Sequence, residues 1–376
     1  MRIVKNQAFL RDFYILSAGV DMSESSPPSD SQSREMNAAF FRDGRIELCR
    51  TQTPRPQSGE ALLRTRMSGI CQTDHELLRG YQGFSGVPGH EFVADVVEAP
   101  GRRELEGGRV VADINCGCGE CPYCLGGMEN YCPSRRVIGI REKQGAFADF
   151  LTAPAANLHP LPEELPEHRA IFAEPLAAAL RITQQIHISA AMHIAVLGDG
   201  KMGLLTAMSL FHVCPEVLLM GRHRDKLDIF KRVGGRTLLV EAGEDPDLAG
   251  NNHPGFHLVV EATGNPEGIE QATRLCQPQG TVVLKTTAER PTSFPFFRLA
   301  VQEQRILGSR CGDLDLALHY LRYGLVDPDP LIETVLPWAE LPRAMDRSAA
   351  RGSKKVLLDH LGQNDKSYTQ QEGHGG

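Results

Sequence analysis

Gly198-Asp199-Gly200-Lys201-Met202-Gly203 directly follows the apolar run 193–197 and opens a segment rich in Leu, Ala and Met. Alone, three such glycines describe any tight turn between a strand and a helix. At a strand-to-helix junction they allow a sharp reversal and let an anionic pyrophosphate approach the N-terminus of the helix. A dinucleotide site is therefore expected here. The surrounding pattern agrees: apolar strands at 193–197, 217–220, 237–240, 257–261, 281–284 and 305–307 alternate with helix-period segments at 203–211, 225–233 and 266–275. Such βα alternation predicts an α/β fold with a doubly wound parallel sheet over residues 175–309.

Upstream, from 36 to about 160, the apolar segments are short and broken by Gly and Pro, as at 61–67, 92–98 and 109–114, which predicts a mainly β domain. Its loops carry cysteines. Cys118, Cys121, Cys124 and Cys132 stand at intervals of three, three and eight, a spacing that can wrap one Zn²⁺ tetrahedrally in a closed structural site. The first two intervals and Cys132-Pro133 also echo an iron–sulfur run, but the last interval is too long for it. Cys116 reads as a buried spectator.

A chain of 376 residues exceeds the usual size of one hydrophobic core, so two domains are expected, with a helix at 314–323 and a strand at 355–358 returning to the first. The organisation that follows is 36–174 and 310–362 as one domain and 175–309 as the other. Residues 1–35, with the polar tract 23–33, read as a disordered extension, and 363–376 as a loose tail. A net charge of −7 supplies no basic face for nucleic acid. No apolar run approaches a membrane span, and the short stretch 13–16 is too weak for a secretion signal. The setting expected is cytoplasmic, and the partner a small molecule.

Three further positions stand out singly: Cys71, His90 followed by Glu91, and Glu174 followed by Pro175. Each has an ordinary structural reading, as a core thiol, a core imidazole and a first-turn acid. Mixed S, N and O ligands with an open position are also what a catalytic zinc needs, although spacing this wide does not show that they meet.

Cys71-Gln-Thr73-Asp74, Gly89-His90-Glu91, the four-cysteine loop, Gly145-Ala-Phe-Ala-Asp-Phe, Glu174-Pro175-Leu176 and the glycine motif, in this order over residues 36–362, resemble the zinc-dependent medium-chain dehydrogenase/reductase (alcohol dehydrogenase) family. The likeness is nearest the sorbitol, threonine and glucose dehydrogenase branch, whose third zinc position is Glu. It implies a chaperonin-cofactor-like (GroES-like) catalytic domain with both zincs, a Rossmann domain, and a homodimer or homotetramer, for which the strand near 305–308 is a candidate interface. It implies further that Cys71, His90 and Glu174 ligate a catalytic zinc with Glu91 as the neighbouring acid, that Cys118, Cys121, Cys124 and Cys132 hold a structural zinc, and that Thr73 begins a proton relay. The next relay position, often His, is Glu76, beside His75. The implied activity is dehydrogenation of an alcohol, polyol or sugar; the alternatives are a carbonyl reductase of the same family using NADPH and, fitting poorly, a zinc-ribbon nucleic-acid-binding protein.

NADP(H) is expected over NAD(H). The second Rossmann strand ends at Gly221, where an acid would hold the ribose hydroxyls, and Arg222, His223 and Arg224 follow. An Arg fork there suits a 2′-phosphate. Gly198, Gly200, Lys201, Met202 and Gly203 complete the expected cofactor site.

Overall fold

Alternate residues of the strand Ile194–Leu197 feed opposite cores: Ile194 and Val196 pack into one cluster, Ala195 and Leu197 into another, all 0–2% exposed. Burial on both faces explains why this strand reads as a continuous apolar run rather than an alternating one. It is the centre of a six-stranded sheet, in the order Arg236–Leu239, Val217–Gly221, Ile194–Leu197, Phe256–Glu261, Cys276–Leu284, Arg305–Gly308, with every pairing parallel. Numbered along the chain the order is 3-2-1-4-5-6, the dinucleotide-binding doubly wound arrangement, whose ligand crevice lies where the order reverses. The computed structural model describes residues 35–241, 255–287, 294 and 296–362. The expected extension to residue 34 and the tail 363–376 lie outside the described residues.

Helices Ala173–Gln185, Lys201–Phe211, Arg224–Arg232 and Leu314–Arg322 contribute to one of these cores and Gly268–Leu275 to the other. Helix and strand ends differ from the sequence pattern by up to a few residues. One difference has a clear cause: the strand expected over 109–114 stops at Ala112 because the Asp113 carboxylate accepts from the Asn115 N–H at 2.8 Å, an Asx turn that tips the chain into the short strand Asn115–Cys116.

The remaining chain forms a seven-stranded sheet, in the order Leu158–Pro160, Arg109–Ala112, Glu91–Glu98, Glu60–Gly69, Lys355–Asp359, Ile332–Pro337, with Phe150–Pro154 also pairing with Glu60–Gly69. The last strand of the chain therefore sits beside one of the first. Register matters here, because Gly69 is opposite both Glu91 and Leu357. A Cβ at Gly69 would lie 2.8 Å from Glu91 Oε2, so glycine leaves room for the Glu91 side chain, which forms a buried ion pair with Lys355.

Candidate active site and metal centres

The strand Glu60–Gly69 runs into Cys71, which caps the helix Gln72–Leu78, and the strand beside it begins at Glu91. This pairing brings ligand-type atoms of Cys71, His90 and Glu91 within 4.8 Å of one another. Asp74 braces two of the three: its Oδ2 accepts from the Cys71 N–H at 2.8 Å, and its Oδ1 stands 3.4 Å from His90 Nδ1. At 3.4 Å the carboxylate is an electrostatic neighbour of the ring and not its hydrogen-bond partner; a carboxylate behind the imidazole is common among metal-binding histidines. Burial works against a charged His90, yet Asp74 and Cys71 outweigh it and hold its pKa well above the ordinary value. The cluster is thus built to favour a cation.

Glu174, in the first turn of Ala173–Gln185, is not within that 4.8 Å group, but its charge is felt by the same residues. Burial pushes its carboxyl up to about 7; His90 pulls it down and Glu91 pushes it further up. Among the described residues it has no hydrogen-bond or ion-pair partner. A half-buried carboxyl without a partner beside a cation-favouring cluster fits a metal ligand better than a plain helix-start acid. With Asp113, Asn115, Cys311 and Gly312 it lines a small cavity.

Cys118, Cys121, Cys124 and Cys132 also lie within 4.8 Å of one another. Cys121 and Cys124 sulfurs are 3.5 Å apart and those of Cys118 and Cys124 4.0 Å, close to the separation of about 3.8 Å that four Zn–S bonds of about 2.3 Å impose on a tetrahedron. Backbone N–H groups point at the sulfurs, from Cys118 to Cys132 and from Cys121 to Cys118, each at 3.4 Å. Donors from Glu120 and Cys121 bring the Cys118 thiol down to about 7, whereas burial pushes the Cys124 thiol of the same set up to about 12. Cys116 is buried outside this set, 3.7 Å from the Ile114 carbonyl.

The glycine turn is shaped by close approach. Gly198 has φ +106°, and a Cβ on Gly203 would lie 1.8 Å from the Gly198 carbonyl oxygen. Gly200 faces open space and caps the helix Lys201–Phe211, whose first N–H groups have no partner within the helix. An open face at a helix N-terminus suits a pyrophosphate.

Comparison with known proteins agrees with this geometry. Residues 57–163 match the alcohol dehydrogenase GroES-like domain and 202–321 the zinc-binding dehydrogenase domain. D-altritol 5-dehydrogenase of Agrobacterium fabrum is 34% identical over 254 residues, covering 65% of this chain and 74% of that protein. The chain belongs to the zinc-dependent medium-chain alcohol dehydrogenase family. D-arabinitol dehydrogenase 1 of Uromyces fabae is 26% identical over 86% of this chain and 97% of its own length. A structure described as a zinc-binding dehydrogenase of Sinorhizobium meliloti bound to NADP is 30% identical, with a TM-score of 0.79 over 87% of this chain and 99% of that one. The protein is an oxidoreductase of the kind that acts on CH–OH groups, and no helix among its described residues is long and apolar enough to cross a membrane.

Within this dehydrogenase, Lys201 opens the helix after the glycine turn and is half-buried. Burial and the neighbouring Lys355 push its ammonium down to about 8, against the opposing pull of Cys71 and Glu91. Thr73 Oγ1 lies 3.8 Å from Cys71 Sγ. Glu76 differs from the relay expectation: its carboxylate accepts from Gln72 at 2.9 Å and Arg79 at 2.8 Å, on the exposed side of the helix, and no hydrogen bond joins it to Thr73. His75 turns into the core, where its Nε2 meets Ser348 Oγ at 2.7 Å. Lys285 is tied to the Ala178 carbonyl and, at 2.9 Å, to Ser309 Oγ.

Two features escape sequence reasoning. Lys355 is 2% exposed and pairs with Glu91; its one signal is a lysine opening an otherwise apolar strand. Asp199 brings a carboxylate to the end of the second Rossmann strand, which the sequence leaves without one. Its Oδ2 accepts from the backbone N–H groups of Arg222 at 2.7 Å and His223 at 2.6 Å.

Proposed function

We infer that this dehydrogenase oxidises a secondary hydroxyl of a polyol or sugar alcohol with NADP⁺, residues 36–174 and 310–362 forming the catalytic domain and 175–309 the cofactor domain. The observation that carries this reading is the meeting of Cys71, His90 and Glu91, whose ligand-type atoms lie within 4.8 Å of one another, in a chain whose parallel sheet carries the glycine turn at its central strand. The polyol class is supported by the altritol and arabinitol dehydrogenases among the relatives, and NADP by the Sinorhizobium structure and the exposed Arg222.

The residues present fit zinc at both sites: Cys71, His90 and Glu174 in the catalytic one, with Glu91 alongside, and Cys118, Cys121, Cys124 and Cys132 in the structural one. Zinc and the nicotinamide supply, when bound, a Lewis acid that acidifies a hydroxyl and a hydride acceptor. The protein does the rest. Asp74 stands behind Cys71 and His90, and Thr73, beside Cys71, hydrogen-bonds the substrate hydroxyl, giving its own proton to water as it takes the substrate's. Gly200 and the following helix N-terminus take the pyrophosphate, Met202 packs against the core of the sheet, and Lys201 adds positive charge at the helix start. With Glu76 engaged by Gln72 and Arg79, the proton does not leave Thr73 through an assembled Glu76 relay.

The protein is further proposed to be cytoplasmic and to form dimers or tetramers through Arg305–Gly308, the edge strand of the six-stranded sheet. The test of function is a spectrophotometric screen of pentitols and hexitols with each cofactor, followed by Glu174→Ala. The expected result is polyol-dependent reduction of NADP⁺ and loss of one zinc per chain, with activity, in the variant. Full zinc and normal turnover in Glu174→Ala refute the assignment.

A further inference from the structure

Asp199 lies between the first two glycines of the motif, yet its side chain belongs to a different part of the cofactor site. Oδ2 accepts from Arg222 N and His223 N, and His223 Nδ1 stands 3.0 Å from Oδ1 and 3.1 Å from Oδ2. These donors belong to the turn that leads into the helix Arg224–Arg232, so the carboxylate occupies the concavity made by two successive backbone N–H groups ahead of that helix. Its side chain is only 9% exposed.

Gly221 is explained by the same contact. A Cβ on Gly221 would lie 2.4 Å from Asp199 Cβ and 2.5 Å from Asp199 Oδ2. Gly221 has no positive φ among those recorded, so the reason for glycine here is space and not backbone conformation. One volume at the end of the second strand can hold a side chain from position 199 or from position 221, but not from both.

We propose that Asp199 is the positioning residue of the adenosine-ribose site: it replaces, from the glycine turn, the side chain that Gly221 lacks, and braces the Gly221–His223 turn so that Arg222 is presented outward to the 2′-phosphate. The proposal rests on the NADP(H) reading above. Three donors are directed at Oδ2, which leaves this carboxylate occupied as a brace. It also removes the Arg222 and His223 N–H groups from the reach of the cofactor. Recognition of the 2′ group then falls to the Arg222 side chain, which is exposed and has no acidic partner among the described residues.

The test is equilibrium binding of NADP⁺ and NAD⁺, measured by calorimetry on the zinc-loaded protein, for Asp199→Ala, Asp199→Asn, Gly221→Asp and the double variant Asp199→Gly/Gly221→Asp, with circular dichroism and zinc content confirming the fold. Asp199→Ala is expected to weaken NADP⁺ relative to NAD⁺ about tenfold, the value of one lost good hydrogen bond to a charged group. Asp199→Asn, which keeps an acceptor for the two N–H groups, is expected to restore most of that ratio. Gly221→Asp alone should weaken both cofactors; the double variant should regain NAD⁺ binding, because the strand-end acid then has space. The proposal is overturned if Gly221→Asp is tolerated beside an intact Asp199, if the double variant shows only the sum of the single effects, or if Asp199→Ala weakens both cofactors equally. Tighter NAD⁺ than NADP⁺ binding by the unaltered protein would instead remove the cofactor reading, and the exclusion between positions 199 and 221 would still be decided by the double variant.

Discussion

Replacing Lys355 by Met should destabilise the metal-free protein by about 3–5 kcal/mol, the cost of leaving one partner of a buried ion pair uncompensated. The magnitude follows from burial: the two side chains are 2% and 1% exposed, so the value of about 0–1 kcal/mol for a surface pair does not apply. Lys355 Nζ also reaches the Ile70 carbonyl at 3.4 Å and lies 5.9 Å from the centre of the Phe172 ring, so the ammonium is enclosed by protein atoms. Burial alone would lower the lysine pKa, but Glu91 and then Cys71 raise it above its ordinary value, so the ammonium is held in its charged form. In thermal unfolding the loss corresponds to a fall in Tm of roughly 10 °C. Glu91→Gln should be costly for the same reason. The double variant Glu91→Gln/Lys355→Met should cost much less than the sum, because it buries no unpaired charge. Urea denaturation of all four proteins, metal-free, gives the cycle. A loss below about 1 kcal/mol in Lys355→Met, or strict additivity, would refute the reasoning.

Gly203→Ala places a methyl 1.8 Å from the Gly198 carbonyl oxygen, so dinucleotide binding by calorimetry should weaken at least about tenfold while zinc content is kept. Burial pushes the Glu60 carboxyl up, but its bonds to Lys143 and the Gln57 N–H outweigh this and hold it below the usual 4.5. Its contribution is therefore complete above about pH 4.5 and lost as pH falls through the lower native value; Glu60→Gln should show a flatter acid limb in denaturation midpoint against pH. Cys121→Ser, or a strong zinc chelator, should speed amide exchange across 116–132 more than in the central strands, because a closed thiolate site contributes folding energy locally.

Much of this was legible because it is local. The three glycines of the turn lie within six residues and the four zinc-loop cysteines within fifteen, so chain geometry alone limits what they can do. The strand Ile194–Leu197 declared its burial on both faces by being apolar throughout. Cys71, His90 and Glu174 were different: each had an ordinary reading, and only the likeness to a family joined them. The structure unites Cys71 with His90 and Glu91 through the pairing of two strands, while Glu174 stands outside that group in the first turn of the helix Ala173–Gln185.

Tertiary structure alone decided the charges. The sequence places no acid at the end of the second Rossmann strand, and the fold supplies one from Asp199, 23 residues before Arg222. Lys355 and Glu91 are 264 residues apart and meet because the last strand of the chain pairs beside Gly69. Side-chain periodicity reports which face of an element is buried, whereas the partner of a buried charge depends on which elements become neighbours and in what register. Hydrophobic pattern is written along the chain; electrostatic complementarity acts through space, over a few ångströms, between atoms that only the folded sheet brings together.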